Sequence, residues 1–99
     1  MNKFIVAQHN SEGRLILTVC DSSVHGKKLE EKGAVLDLGS KFYGGQEKDT
    51  ASVEKLMQKA YTIHAVGKNS VAAVTKLGLA AKEDIKTVSG VPHVQVLVI

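Results

Sequence analysis

The sequence has one cysteine, one arginine and no long apolar run, and each shortage excludes a class of protein. The single Cys20 can form neither an internal disulfide nor a metal site built from cysteine pairs, which is typical of a reducing compartment. No stretch approaches the ~20 apolar residues of a membrane span. The apolar run at Met1–Ala7 is also too short for a signal peptide. We therefore expect a soluble cytoplasmic protein.

The charged residues favour a polyanionic partner. Thirteen basic residues against ten acidic ones give a net charge of +3 and a pI near 9.1. Twelve of the thirteen are lysine. Lysine is a point charge where arginine is a planar fork, so this composition predicts loose phosphate contact and not bidentate recognition of bases.

The length and composition predict one globular domain over residues 1–99. A chain of 99 residues buries roughly 65% of its unfolded surface, which provides a hydrophobic core without disulfides or metals. The hydrophobic fraction of 43% and the charged fraction of 23% are ordinary globular values. There is no internal repeat or low-complexity segment.

Two apolar runs, Lys3–His9 and Arg14–Cys20, predict an N-terminal β-hairpin. Asn10–Gly13 has the composition of a four-residue loop, which would pair His9 with Arg14. Because side chains alternate along a strand, one face would hold Phe4, Val6, Gln8, Leu15, Leu17 and Val19, and the other Ile5, Ala7, Ile16 and Thr18.

The chain beyond the hairpin changes from strand-like to helix-like at Phe42–Gly45, where two of four aromatic residues meet two of nine glycines. Before this junction, polar His25–Gly33 is expected to be an exposed excursion and Ala34–Leu38 a short strand. After it, the pattern predicts a helix capped by Asp49 or Thr50, with apolar positions up to His64 and an end at Gly67. A second helix follows, capped by Asn69 or Ser70 and ended by Gly78. The chain then forms a brief strand at Ile85–Val88, a turn at Ser89–His93 and a strand at Val94–Ile99.

This order predicts an α+β fold: a mainly antiparallel β-sheet with an N-terminal hairpin, two helices packed on one face and a C-terminal strand. A doubly wound parallel sheet would need alternating strands and helices, and none is predicted here. Because Val94–Ile99 is rich in β-branched residues, we expect it to be a central or interface strand.

Four short motifs resemble the archaeal family catalogued as domain of unknown function 424. They are Cys20–Asp21, Phe42–Gly45, Val66–Val71 and Gly90–His93, and they span nearly the whole chain. The chain departs from the family pattern at Ser22–His25, where bulkier apolar residues are usual. The resemblance implies a small cytoplasmic archaeal protein, encoded near translation-related genes and without an assigned activity, so it favours RNA and supplies no catalytic residue.

Phe42–Gly45 has two interpretations. In the first, Phe42 fills the core and the glycines let the chain reverse into the first helix. In the second, Tyr43 is an exposed platform on which a base stacks, and Gly44 and Gly45 allow a ligand backbone to approach closely.

Gly67–Ser70 resembles a phosphate-binding loop, because a lysine lies next to a helix start. A Walker motif needs glycine at position 62 and serine or threonine at position 69, where this chain has Thr62 and Asn69. Two alternatives remain: a glycine between helices followed by an Asn cap, or a weak phosphate contact through Lys68.

The cysteine and histidines do not form a recognisable metal or catalytic motif. Cys20, His25, His64 and His93 lie on separate predicted elements without metal-ligand spacing, so we predict no metal, no cofactor and no catalytic residue. His93 either follows a turn that sets up the last strand or lies on a surface beside the aromatic junction.

Together these patterns predict a non-enzymatic module that binds RNA or a ribonucleoprotein and is linked to translation. The predicted contact residues are Lys41, Tyr43, Gly44, Gly45, Lys68 and His93. One alternative is a protein-interaction or homodimer module that uses Val94–Ile99. Another is a small enzyme that uses Cys20 with His93.

Overall fold

The computed structural model describes residues 3–98, which form eight β-strands, two α-helices and one 3₁₀ turn. In chain order these are β1 Lys3–Ser11, β2 Arg14–Asp21, β3 Lys28–Glu31, β4 Ala34–Asp37, β5 Gln46–Asp49, α1 Thr50–Lys59, β6 Thr62–Val66, α2 Lys68–Lys76, the 3₁₀ turn Lys82–Asp84, β7 Lys86–Val88 and β8 Val91–Leu97.

Six of the strands form one sheet in the order β5-β1-β2-β6-β8-β7, and β3 pairs with β4 in a separate hairpin. Within the large sheet β2 and β6 run parallel, and the other four neighbouring pairs are antiparallel. The predicted α+β class, with a mainly antiparallel sheet and an N-terminal hairpin, is therefore confirmed. No helix within residues 3–98 has the length and apolar character needed to cross a membrane.

Both helices pack on the same face of the sheet, as predicted. Val53 and Met57 of α1 and Val74 of α2 are fully buried in one cluster with the sheet. Burying each such side chain stabilises the folded state by about 1.5–3 kcal/mol relative to leaving it exposed. Eight sheet residues complete this core: Phe4, Val6, Leu17, Val19, Ile63, Ala65, Val94 and Val96.

The opposite face of the sheet, here called the open face, is covered over only part of its area. A second cluster forms where Leu38, Val24 and Tyr43 pack on Cys20 and Val66. The segment between β2 and β5 therefore shields the end of the sheet where β2 and β6 finish. The rest of the open face carries polar, aromatic and aliphatic side chains, among them His64, Gln95 and Leu97.

The hairpin register differs from the prediction by two residues. Ser11 pairs with Arg14, and Glu12–Gly13 forms a two-residue turn in which both φ angles are positive, 53° and 78°. Such turns match the twist of the flanking strands, so a two-residue loop replaces the predicted loop of four residues. A shift of two keeps every side chain on its face, and the predicted division of residues between the two faces is confirmed.

The first predicted helix is too long. α1 ends at Lys59, and Thr62–Val66 is strand β6, which runs parallel to β2. Positions Val53 to His64 fit a helical period, but the β-branched residues after Tyr61 gain more by pairing with β2. Strands and helices therefore alternate from β5 to β7, and the expected helix-helix order is wrong. The short strands β3 and β5 were not predicted either.

The turn before the last strand is also shorter than predicted. It comprises Ser89 and Gly90, both with positive φ, and β8 already begins at Val91. Pro92 and His93 therefore lie within the strand. β8 is the fifth of six strands, between β6 and β7. Ile99, the last residue of the predicted strand, lies outside the described residues.

Candidate nucleic-acid interface

The four motifs of the family resemblance meet at one end of the sheet, where parallel strands β2 and β6 both finish. Asp21 ends β2, and its carboxylate accepts hydrogen bonds from the backbone N–H groups of Asn69 and Ser70, at 3.0 and 2.8 Å. Gly67 lies between β6 and α2 with φ of 110°, and its N–H donates to the carbonyl oxygen of Pro92 at 2.8 Å. Motifs that are far apart in the sequence therefore pack together at a junction of β2, β6, α2 and β8.

At this junction the Asp21 carboxylate occupies the N-terminal end of α2. A side-chain Cβ at Gly67 would lie 2.4 Å from Cγ of Asp21, so only glycine lets Asp21 approach. The Asp21 oxygens occupy the position where a phosphate would bind the first turn of a helix. The N-cap of α2 is Gly67, and the predicted cap residues Asn69 and Ser70 instead donate to Asp21.

An aromatic cluster of His9, Phe42 and His64 lies on the open face. The Phe42 ring stacks on His9 with centroids 5.1 Å apart and an interplanar angle of 9°. It meets His64 edge-on, also at 5.1 Å. Phe42 remains 37% exposed. Three strand and loop segments that are distant in sequence therefore present a continuous aromatic surface, with its rings in the offset and edge-to-face geometries that such pairs prefer.

Two hydrogen bonds fix the backbone that carries Phe42. The carbonyl oxygen of Phe42 accepts one bond from the Thr18 hydroxyl and one from Nε2 of His9, both at 2.9 Å. Since a carbonyl can only accept, Nε2 of His9 carries a proton. Thr18 is fully buried and anchors the loop to the sheet. The aromatic cluster is consequently held against β2 and is not left on a free loop.

His64 is the member of the aromatic cluster that lies on β6, next to β8. Burial lowers the pKa of His64 from its ordinary value of 6.5, and the neighbouring His9 lowers this pKa further. Its register partner on β8 is Gln95, which is exposed. The open face therefore offers aromatic rings and an amide side by side, groups that stack on bases and form hydrogen bonds with base edges.

The structure exchanges the expected roles of Phe42 and Tyr43. Tyr43 packs in the second cluster against Cys20 and Val66, and burial raises its pKa, with a further contribution from Cys20. Phe42, which one interpretation placed in the core, is the exposed ring. Lys41 in the same turn is exposed. The sequence offers no period across this turn, which explains why the two aromatic residues could not be told apart.

The two glycines after Tyr43 have different surroundings. A Cβ at Gly45 would lie 1.8 Å from the carbonyl oxygen of Val6, so Gly45 allows the chain to enter β5 close against β1. At Gly44 the nearest atom would be 3.7 Å away, an ordinary contact. Gly45 therefore serves the fold, whereas Gly44 is exposed and free of this constraint.

Lys68 and His93 lie near the same junction, and neither belongs to the aromatic cluster. Lys68 is the exposed first residue of α2. His93 is half-buried on the open face of β8, paired with Val66 on one side and Lys86 on the other. Burial lowers the pKa of His93, and Lys86 lowers it further. His9 and His64 were missed as site residues because only the strand register brings them next to Phe42, and Gln95 was missed because only the register places it beside His64.

Cys20 lies on the same sheet face as His93, but Val66 lies between them in the register. Two strand spacings separate their backbones by roughly 10 Å. Cys20 is fully buried, and burial together with Asp21 raises the pKa of its thiol to about 11. This environment is the reverse of one that activates a nucleophilic cysteine. Within residues 3–98 no three His, Cys, Asp or Glu side chains form a group able to hold a metal.

Comparisons with known proteins agree with the fold and motifs. The family described as "Protein of unknown function (DUF424)" matches residues 9–99, which confirms the resemblance seen in the sequence. A crystal structure of an uncharacterized conserved protein from Methanopyrus kandleri superimposes with a TM-score of 0.81 at 27% identity, over 96% of this chain and 92% of that one. No curated protein matches the sequence.

Proposed function

We propose that this chain, which belongs to the DUF424 family, is a non-enzymatic module that binds single-stranded RNA or a ribonucleoprotein through its open sheet face. The observation that carries the proposal is the aromatic cluster, where Phe42 is held over the sheet between His9 and His64 and remains exposed. Unpaired bases stack on such rings, and an antiparallel sheet that displays aromatic side chains is a recurring platform for single-stranded RNA.

The electrostatics support the same partner. The net charge of +3 attracts a polyanion, and Lys41 lies next to Phe42 in the sequence and is exposed. Lys68 and His93, at the junction end of the sheet, extend the proposed contact surface, and Gly44 leaves the backbone beside the turn open. Tyr43 and Gly45 support the surface from beneath, through the second cluster and the β1 contact respectively.

The setting of this activity belongs to the proposal as well. The link to translation and the archaeal cytoplasm come from the family resemblance, and the single buried thiol suits a reducing compartment. A role in RNA binding needs no cofactor.

Titration of a fluorescent single-stranded RNA at 50 and 200 mM salt tests the proposal. Three phosphate contacts would weaken binding about twentyfold between these salt concentrations. Lys41→Ala and Lys68→Ala should each reduce the affinity and flatten the salt dependence. Lys55→Ala, on the exposed side of α1 across the sheet, removes the same charge and should leave both unchanged. Absence of binding at 50 mM salt would contradict the proposal for free RNA.

A further inference from the structure

The outer edge of β8 is paired over only half of its length. β7 pairs with Val91, Pro92 and His93 and goes no further. On its other side β8 pairs with β6 up to Leu97. The stretch Val94–Leu97 therefore has a neighbouring strand on one side only, among residues 3–98. This edge presents backbone groups, whereas the proposed RNA surface presents side chains, among them that of Gln95.

The direction of the backbone groups along this edge follows from two hydrogen bonds. The Pro92 carbonyl accepts from Gly67 N–H at 2.8 Å, and Val98 N–H donates to the Tyr61 carbonyl at 2.7 Å, so both residues point toward β6. In an antiparallel pair, alternate residues direct their backbone groups to the same side. Gln95 and Leu97 therefore direct their N–H and C=O groups away from β6, to the unpaired edge.

A groove runs along this edge. The chain before β7 leaves the line of that strand and forms the 3₁₀ turn, so a space of about 580 Å³ opens between Gln95 and Leu97 on one side and Glu83 and Asp84 on the other. Leu97 is 58% exposed. Lys86 lies at the end where β7 begins. One more strand at the usual spacing of about 4.8 Å would occupy the vacant line.

We propose that this edge binds an extended peptide segment of a partner protein as an added strand, with a basic residue facing Glu83 and Asp84 and an apolar residue beside Leu97. Strand addition uses backbone hydrogen bonds for affinity and the flanking side chains for specificity. Here the backbone groups of Gln95 and Leu97 supply the hydrogen bonds that give affinity. The exposed carboxylates of Glu83 and Asp84 supply the specificity, and that of Asp84 also accepts a hydrogen bond from the Ala81 N–H at 3.0 Å.

The same carboxylates disfavour a second copy of β8 as the occupant. Val94–Val98 contains no basic side chain, so a second β8 would bring no counter-charge to Glu83 and Asp84. Charged side chains beside an unpaired strand are also a common defence against edge-to-edge association. A basic segment would be attracted to the carboxylates of Glu83 and Asp84, whereas a second copy of β8 would not.

The test uses the synthetic peptide acetyl-Lys-Val-Lys-Val-Thr-Val-Lys-amide and amide NMR of the intact chain. We expect the amide signals of Gln95 and Leu97 to shift more than those of β5 at the opposite edge of the sheet. The same peptide N-methylated at three consecutive central residues, which blocks both of its edges, should bind at least tenfold more weakly. Equal binding by the two peptides would overturn the proposal, as would unmoved Gln95 and Leu97 signals at millimolar peptide.

Protein variants separate the backbone and charge contributions. Gln95→Pro removes the edge N–H but no bond to β6, so it should weaken binding at least tenfold. Glu83→Lys should weaken binding of the lysine peptide and strengthen binding of a peptide that has glutamate in place of lysine. Glu47→Lys makes the same charge change on β5 and should not alter the binding of either peptide. Self-association that Gln95→Pro abolishes would assign the edge to a second copy and overturn the proposal.

Discussion

Asp21 and Ser70, 49 positions apart in the chain, are joined by two hydrogen bonds that cap helix α2. The Asp21 carboxylate accepts from the Ser70 backbone N–H at 2.8 Å and from the Ser70 hydroxyl at 2.7 Å. Both residues are buried. The N-cap of α2 is Gly67, which has no side chain, so a carboxylate from β2 replaces the missing cap and lies at the positive end of the helix dipole.

Asp21→Ala should destabilise the protein by about 2–4 kcal/mol. The change leaves the donors of Asn69 and Ser70 unpaired, and hydrogen bonds to a charged group contribute about 1.5–3 kcal/mol each without being additive. Urea unfolding gives the free energy of unfolding. Asp49→Ala is the matched control, since Asp49 caps α1 at an exposed site and its loss should cost about 1 kcal/mol. Equal losses from the two substitutions would contradict this account of Asp21.

Gly45→Ala should destabilise the protein strongly, by about 3 kcal/mol or more, because the new methyl group would overlap the Val6 backbone. Thermal unfolding checks it. Gly44→Ala has room at the neighbouring position and should change the stability by less than about 1 kcal/mol. If both variants unfold at the same temperature, β5 does not need the close approach that Gly45 provides.

Local patterns predict much of this fold, and tertiary pairing determines the rest. The alternation in β1 and β2 gives the correct faces even though the turn at Glu12–Gly13 shifts the register, because a slip of two residues conserves the period. The helical period of α1 continues by chance into Tyr61–His64, and only the presence of β2 as a parallel partner makes that stretch a strand.

The candidate site is less predictable than the fold. The junction Phe42–Gly45 could be found because aromatic residues are scarce in this chain, but the sequence did not show that Phe42, and not Tyr43, is the exposed ring. His9 and His64 could not be found, because neither belongs to a motif and only the pairing of β1, β2 and β6 places them beside Phe42. Asp21 illustrates the same limit, since the sequence offers no sign that it caps a helix 49 residues later.

Cys20 should be nearly inert toward thiol reagents in the folded protein. At pH 8 the rise of its pKa from 9.0 to about 11 lowers the thiolate fraction by roughly a hundredfold, and full burial slows the reaction further. Labelling with a chromogenic disulfide before and after addition of urea measures this. Fast stoichiometric labelling without denaturant would revive the hypothesis of a reactive Cys20.

Stability should fall as the pH decreases through the histidine range. The folded pKa of His64 lies below 6.5, so the unfolded state binds more protons and folding is weakened as the pH falls from about 6.5 toward the lowered value. The slope for one histidine cannot exceed about 1.4 kcal/mol per pH unit. Urea unfolding at pH 7.5 and 5 should show a smaller pH dependence for His64→Gln than for the native chain.

His93 contributes in the same direction, because its pKa is also lowered. His25→Gln, which makes the same substitution at an exposed position, serves as the control. A His64→Gln variant with the full native slope would contradict the burial of a neutral His64.

The role of Phe42 in binding RNA is measured most directly by comparing Phe42→Leu with Phe42→Tyr. Both fill the site, but only tyrosine keeps a ring, and stacking of one base contributes about 1–3 kcal/mol. In a fluorescence titration with single-stranded RNA at 50 mM salt, we predict native-like affinity for Phe42→Tyr and a loss of roughly 5- to 150-fold for Phe42→Leu. Equal affinities for the two variants, with both folded, would contradict the proposal that the open face binds RNA bases.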